Sequence, residues 1–552
     1  MDQNALLLNK SKSEQINEPL NLQSQDKLST AHKSFCDENQ DQQLRKSFTN
    51  RSLIIQDLSK SQLLWHEGQE TTNQKLKKIL NILLPTVVAQ FFTVFVEFLN
   101  VAFIGHLNDP AKIAGAGLGN MYVNIFCQSI ILGLNGAIAT LVSQSGGAKN
   151  YVKAGHYLNR GRFIIIISFV LIIPILLNCQ NFLLLLKQDA KTAEYAQLYV
   201  TRFIPAMIFH SQFDATRQYL NALNKTQMVM IVTITTGFLH LVWTYILVIQ
   251  MKWDIQGAAH ATSITYFLNF LLMTLYCIWL GRDTDKMEGY SSQDNLDIKQ
   301  SFFWFKKETF EDLGEYIKIG IPSCVMLCLE WWSFEVLALI AGYIDVMTIA
   351  AYVILINVSL VVTQISFGCH VTAIVCVGNS AGEGNYRKAK SYSKIIVLIS
   401  FITMVLISII VVSLRHTVTL LFTTEPTLSA AVVYGFLFMP LTFVTNGLGI
   451  TLSGVIRGLG LQSQGYKINI FSYYFIGIPA AFIMGKTLEM GVIGLILGLA
   501  LGGLCVSICD TVLLLWAVCW KEKCLQIYSK MNKTSESCTD EKKQMDYELD
   551  RL

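Results

Sequence analysis

Apolar residues run through this chain in long blocks separated by short polar turns. Ile164 to Leu177 is almost wholly apolar, and Val492 to Trp516 carries a single charge, Asp510. A helix needs about 20 predominantly apolar residues to cross the hydrocarbon core of a bilayer. By that measure the blocks predict about twelve spans. In the first half they fall at residues 79–104, 112–143, 162–180, 194–221, 227–250 and 256–280. In the second half they fall at 314–342, 347–378, 392–414, 428–456, 466–486 and 490–519. The pattern predicts an all-α polytopic membrane protein, with one six-helix lobe over residues 76–280 and a second over 314–520. The polar, mixed-charge segment 281–313 reads as a linker between them.

Residues 1–75 are rich in Gln, Asn, Ser and Lys. Such composition cannot bury enough apolar surface to fold alone, so a disordered polar arm is expected, and 521–552 reads as a charged tail of the same kind. The arm lacks the apolar core of a secretory signal, which leaves the first span to direct insertion.

Composition narrows the class further. Of the 552 residues, 52% are hydrophobic and 15% charged, against about 25% charged in soluble domains. A soluble protein of this size is excluded. Lys149, Lys153, Arg160, Arg162, Lys225, Arg387, Lys388, Lys390 and Lys394 share one set of loops with the basic residues from Arg282 to Lys318. The opposite loops hold Lys112, Lys187, Lys191, Lys252, Arg415 and Lys486. Cytosolic loops carry the excess of Lys and Arg, so both termini are expected in the cytosol. The Asn-x-Ser/Thr triplets at Asn9, Asn50, Asn224, Asn357 and Asn532 then escape glycosylation. The membrane is expected to be the plasma membrane or that of an acidic vesicle or vacuole.

The thirteen cysteines lie mostly in apolar segments, with Cys324/Cys328 and Cys505/Cys509 spaced i, i+4. They read as small apolar helix fillers rather than a disulfide or metal framework. The chain has no Gly-x-x-x-x-Gly-Lys-Ser/Thr loop, which argues against an ATP-driven pump. Neither an enzyme nor a bound cofactor or metal is expected, nor a nucleic-acid partner.

Candidate chemistry centres on Cys328-Leu-Glu330-Trp331-Trp332-Ser-Phe-Glu335, inside the seventh apolar block. A charge at membrane depth costs roughly 2.5–3.5 kcal/mol on insertion scales and usually marks a functional position. Removal of water disfavours the ionised form of a carboxyl, so such a group can take up and release protons near neutral pH. Ion-coupled transport is the expectation. Five residues turn about 140° around a helix, so Glu330 and Glu335 are not expected to face one cavity squarely. His370 and Asp510 read first as hydrogen-bonded structural groups, and Pro85, Pro205, Pro322 and Pro440 fall within spans as possible bending points.

The two halves also repeat. Leu84-Pro85-Thr86 opens the first span as Ile321-Pro322-Ser323 opens the seventh. Ser145-Gly-Gly147-Ala-Lys-Asn150-Tyr151-Val-Lys153-Ala154-Gly-His-Tyr157 returns as Ser380-Ala-Gly382-Glu-Gly-Asn385-Tyr386-Arg-Lys388-Ala389-Lys-Ser-Tyr392. Phe203-Ile-Pro205 matches Phe438-Met-Pro440, and Ile255-Gln-Gly257-Ala resembles Val492-Ile-Gly494-Leu. An even number of spans per repeat gives both halves the same orientation, related by an axis along the membrane normal. Repeated halves enclosing a substrate site are a recurring transporter plan. The Asn150-Tyr151 and Asn385-Tyr386 loops fit closure of the lobes on the cytosolic side.

With these elements in view, the chain resembles the multidrug and toxic compound extrusion (MATE) family in its eukaryotic form. The resemblance rests on Phe103-Ile-Gly-His106-Leu, Val142-Ser-Gln144-Ser-Gly-Gly147-Ala, Cys328-Leu-Glu330-Trp331-Trp332, Val377-Gly-Asn379-Ser-Ala-Gly382 and Gly454-Val-Ile-Arg457-Gly458-Leu-Gly460. It implies twelve helices in two lobes set in a V, and efflux of organic cations or other metabolites against inward H⁺ or Na⁺. It also implies that Glu330 is the acidic coupling position of the seventh helix, with Glu335 a second acid. Gln90 and Asn124 match polar positions lining the cavity. Two family acids are amides here, Asn100 and Asn446, which become candidates for substrate contact. Glu97, about one turn before Asn100, is the candidate replacement acid. Trp331 can stack on a cationic substrate, and Tyr474 is a further candidate in the C-terminal cavity.

The expected function is secondary active efflux, with a small organic cation exchanged for H⁺, or for Na⁺, by alternating access in a monomer. A lipid-linked precursor flippase would need a strongly basic cavity, and the spans are poor in Lys and Arg. A non-transporting sensor built on the N-terminal arm is the remaining alternative.

Overall fold

A lipid environment leaves the backbone no water to bond with, so each spanning segment must satisfy its own amides, and a helix does this. The computed structural model describes residues 70–107, 109–281, 296–303 and 305–532, all helix, turn or short connection. Residues 1–69 of the expected arm, 282–295 of the linker and 533–552 of the tail lie outside the described residues.

The long helices are α1 Thr72–Gly105, α2 Pro110–Gly147, α3 Tyr151–Leu177, α4 Ala190–Ala222, α5 Thr226–Gln250 and α6 Asp254–Leu280, followed by α7 Leu313–Ile344, α8 Val346–Gly382, α9 Tyr386–Ser413, α10 Met439–Gly458, α11 Gln462–Thr487 and α12 Val492–Ala517. Eleven are long and apolar enough to cross a membrane. The other, α4, is as long but carries Asp214 and Arg217. Many large apolar side chains remain exposed, among them Val170, Leu171, Phe475 and Trp516. In a membrane they face lipid.

Caps reveal the repeat. Asp109 receives the first amides of α2, and Asp345 does the same for α8. Asn150 Oδ1 accepts from Lys153 N at 3.1 Å at the start of α3, and Asn385 Oδ1 accepts from Lys388 N at 3.0 Å at the start of α9. Helices α1–α6 pack mainly on one another, as do α7–α12. The two groups meet where α2 crosses α7 and α8, and where α1 crosses α8.

We call the side on which α1 begins the near face. There α2 and α8 cross so closely that a Cβ on Gly147 would overlap the Asn379 backbone, and one on Gly382 would overlap the Gln144 carbonyl. Small residues permit this approach between membrane helices.

Several expected boundaries shift for physical reasons. α3 begins at Tyr151, not near 162, because its charges are satisfied inside the protein. Arg160 donates to the Thr309 and Glu308 carbonyls at 3.1 and 3.2 Å, and Arg162 to Thr216 Oγ1 at 2.9 Å. The tenth span is broken: Pro426–Gly435 stops, and α10 starts at Met439 with Pro440 in its first turn. Its counterpart Pro205 lies inside the continuous α4, so the two prolines match in sequence but not in role. The segment expected to open a disordered tail is instead helical over 520–532. It buries Trp520, Cys524, Ile527 and Met531. Asn150 Nδ2 donates to Met531 O at 2.9 Å and Lys153 Nζ to Lys530 O at 2.9 Å, while Lys530 pairs with Glu315 at 3.0 Å.

Candidate functional site: the cavity between the halves

Bringing α1, α2 and α4 against α7, α8 and α10 encloses a cavity of about 300 Å³. That is the lower end of small-molecule sites. Its near-face end is sealed by side-chain bonds between the halves. Gln144 Nε2 donates to Gly458 O at 3.0 Å, Asn379 Nδ2 to Ala222 O at 3.2 Å, and Gln462 Nε2 to Thr140 Oγ1 at 2.9 Å.

α7 supplies the acidic wall. Glu330 and Glu335 both line the cavity, although their helical spacing argues against a shared face. The cavity wraps a broad arc of α7, with Leu327, Trp331, Trp332 and Phe334 also in its wall. Glu330 is buried and Glu335 half-buried. Glu330 has no ion pair among the described residues, and Arg457 lines the same cavity. Arg457 is held by Ser323, its Nη1 donating to Ser323 Oγ at 2.8 Å. At the repeat offset of 237 the Glu330 position corresponds to Thr93 on α1, which also lines the cavity. The position is symmetric, and the acid belongs to one half.

α2 contributes through a change of helix type. Asn124–Gln128 is a π-helical turn, a local widening that frequently marks functional sites. It sets Asn124, Ile125 and Gln128 in the cavity wall. Asn124 Oδ1 has no hydrogen-bond partner among the described residues, and Ile125 O accepts from Trp332 Nε1 across the halves at 3.3 Å. Gln128 Nε2 reaches Glu97 Oε1 at 3.5 Å.

The structure gathers Glu97, Glu330, Glu335, Gln90, Asn124, Trp331 and Asn446 around this one cavity. Two expected members stand apart. Asn100 turns into its own half, donating to Thr262 Oγ1 at 2.8 Å and accepting from His240 Nε2 at 3.1 Å. It and Glu97 therefore separate despite their one-turn spacing. Tyr474 donates to Leu329 O at 3.3 Å and does not line the cavity.

Other residues at the wall, and Asp214 behind it, were not among the expected site members. Asp214 is completely buried and accepts from Asn135 Nδ2 at 2.7 Å and Arg217 Nε at 2.9 Å. Arg217 Nη1 in turn donates to Gln90 Oε1, fixing that side chain at the wall. Opposite charges at i, i+3 in an otherwise apolar block were the signal in Asp214-Ala-Thr-Arg217. Trp332, Gln128, His210 and His370 also line the cavity. His210 is buried with no hydrogen-bond partner on either ring nitrogen among the described residues. No group of three or more metal-binding side chains occurs among the described residues.

Known proteins share this architecture. The chain is 30% identical to Protein DETOXIFICATION 17 of Arabidopsis thaliana over 431 residues, covering 77% of this chain and 87% of that protein. It is 28% identical to Multidrug and toxin extrusion protein 1 of Mus musculus, covering 82% and 77%. The crystal structure of the eukaryotic MATE transporter AtDTX14 superposes with a TM-score of 0.77 at 24% identity, covering 83% of this chain and 99% of that one. An outward-facing multidrug resistance MATE family transporter superposes at 0.70 with 17% identity, covering 84% and 100%. The family pattern MatE matches twice, over residues 85–246 and 322–483. The internal repeat, the multi-pass helical fold and this double match lead to one conclusion: the chain is an integral membrane protein that belongs to the MatE family.

Proposed function

We propose that the protein is a secondary active efflux transporter that exchanges a small organic cation for H⁺, with Na⁺ as the second candidate ion. The observation that carries this reading is Glu330, a buried carboxylate on the wall of an interhalf cavity with no ion pair among the described residues tying it down. The charged wall favours cations: Glu97, Glu330 and Glu335 stand against Arg217 and Arg457, and Arg217 is already neutralised by Asp214 at 2.5 Å. Relatives named for multidrug and toxin extrusion support the substrate class. This acidic balance disfavours a lipid-linked pyrophosphate, which needs a basic cavity.

In this mechanism, ionised Glu330 and the Trp331 face hold the cation, since a desolvated cation–π contact contributes about 2 kcal/mol. Protonation of Glu330 removes the attraction and releases it. A pH difference of one unit supplies about 1.4 kcal/mol per proton. With the near face cytosolic, the seal at Gln144 and Asn379 closes the cavity to the cytosol, and alternating access requires that seal to break. The test is efflux of a fluorescent organic cation from proteoliposomes under an imposed pH or Na⁺ gradient. Acceleration by the pH gradient alone is expected. Acceleration by Na⁺ alone would reassign the ion, and response to neither would overturn antiport.

A further inference from the structure

Two arginines line the cavity, Arg217 and Arg457, and they differ in their partners. Arg217 is paired with Asp214 at 2.5 Å, and its Nη1 donates to Gln90 Oε1. Arg457 is buried and has no ion pair among the described residues. Ser323 of α7 fixes its guanidinium, with Nη1 donating to Ser323 Oγ at 2.8 Å and Nη2 to Ser323 O at 3.4 Å. The Nε N–H has no partner among the described residues. Gly136 of α2 makes the room, since a Cβ there would stand 2.5 Å from Arg457 Nη1. A cation is thus held in place at the cavity wall with its donors incompletely used.

A buried charge without a counter-charge is costly. A carboxyl escapes that cost by taking a proton, whereas a guanidinium keeps its charge at any pH a protein meets. In the cycle proposed above, Glu330 either holds the substrate cation or is protonated. Neither state offers Arg457 a net negative charge. Glu335 stands further off, twelve residues along α7 from Ser323. His370, the other basic group of the C-terminal wall, bonds Ile450 O through Nδ1 at 2.9 Å and supplies no anion.

α7 sets the spacing between the two charged positions. Ser323, Leu327 and Glu330 follow at i, i+4 and i+7, which is one face of a helix. Two turns raise Glu330 about 10 Å above Ser323 along the axis. Leu327 stands between them and lines the cavity, and Val371 and Ile374 of α8 add further apolar wall.

We propose that Arg457 is an anion subsite for a carboxylate on the exported molecule, and that organic zwitterions are preferred substrates. The ammonium lies at Glu330, the carboxylate at Arg457, and an apolar spacer on the Leu327 face joins them. The ammonium end rests on the cation-efflux reading above. The Nε and Nη2 edge of a guanidinium grips a carboxylate through two parallel N–H···O bonds. A lysine does not reproduce that fork.

The test uses a matched pair of competitors, 4-(aminomethyl)benzoate and its methyl ester, which differ in the carboxylate charge. Each displaces a fluorescent organic cation from the purified protein in detergent. The readout is the ratio of the two dissociation constants, in which any change at the ammonium end cancels. The wild type is expected to bind the carboxylate at least as tightly as the ester. Arg457→Gln is expected to move the ratio toward the ester by about tenfold or more, and Arg457→Lys by less. Tighter binding of the ester by the wild type overturns the subsite before any variant is made, so the test stands even where Arg457→Gln does not fold. An unchanged ratio in folded Arg457→Gln also overturns it, returning Arg457 to the structural role of joining α10 to α7. The assay needs no ion gradient. The expected ratios in a protein that responds to neither H⁺ nor Na⁺ would therefore support the subsite and defeat antiport alone.

Discussion

Gln144 and Asn379 stand 235 positions apart and make the same bond in opposite directions. Gln144 Nε2 reaches the Gly458 carbonyl at the end of α10, and Asn379 Nδ2 reaches the Ala222 carbonyl at the end of α4. Each amide satisfies a carbonyl that a helix terminus leaves without an intrahelical partner. Gly147 and Gly382, also 235 apart, let the two backbones approach. The repeat thus forms a reciprocal clasp that holds the near face closed. A neutral hydrogen bond contributes about 1 kcal/mol net. Gln144→Ala and Asn379→Ala are each expected to shift the conformational balance toward near-face opening by about fivefold. Thiol labelling of a cysteine introduced at Thr140 reads this opening.

Trp331 beside Glu330 offers the ring face for a cationic substrate. Trp331→Ala is expected to weaken substrate affinity by up to about 30-fold, equivalent to about 2 kcal/mol, while Trp331→Phe retains part of it. Competition binding in detergent separates this loss from any change in turnover.

The buried Asp214–Arg217 pair fixes Gln90 at the cavity wall. Asp214→Ala leaves a buried guanidinium without its partner and is expected to destabilise the fold by about 3–5 kcal/mol. The double variant Asp214→Asn with Arg217→Met is expected to recover much of that loss. Thermal unfolding followed by size-exclusion chromatography checks both.

The helix over 520–532 ties the α2–α3 turn through Asn150 and Lys153. Truncation after residue 519 is expected to raise hydrogen exchange at residues 150–154 without unfolding the spans. Unchanged protection there would show that the contact carries no stability.

Hydropathy alone made most spans legible, because lipid demands long apolar helices. It placed the start of α3 too late because Lys153, Arg160 and Arg162 look like loop charges until their partners are known. The repeat was legible to the residue in Asn150/Asn385, and the structure adds that both asparagines are helix caps. The cavity acids were legible from their cost in a membrane. Asn100 was not, since helical spacing cannot tell that its amide turns to His240 and Thr262 instead of the cavity. Asp510 was visible as a lone charge, but only three-dimensional packing reveals that it is completely buried and that its oxygens lack hydrogen-bond partners among the described residues.

The central claim is that Glu330 couples proton movement to cation efflux. Its most direct measurement is pH-driven efflux of a fluorescent organic cation by folded Glu330→Gln in proteoliposomes, beside wild type and Glu97→Gln. The account predicts that Glu330→Gln loses pH-driven efflux while keeping a wild-type elution profile and melting temperature. Coupled efflux by Glu330→Gln at the wild-type rate would contradict it.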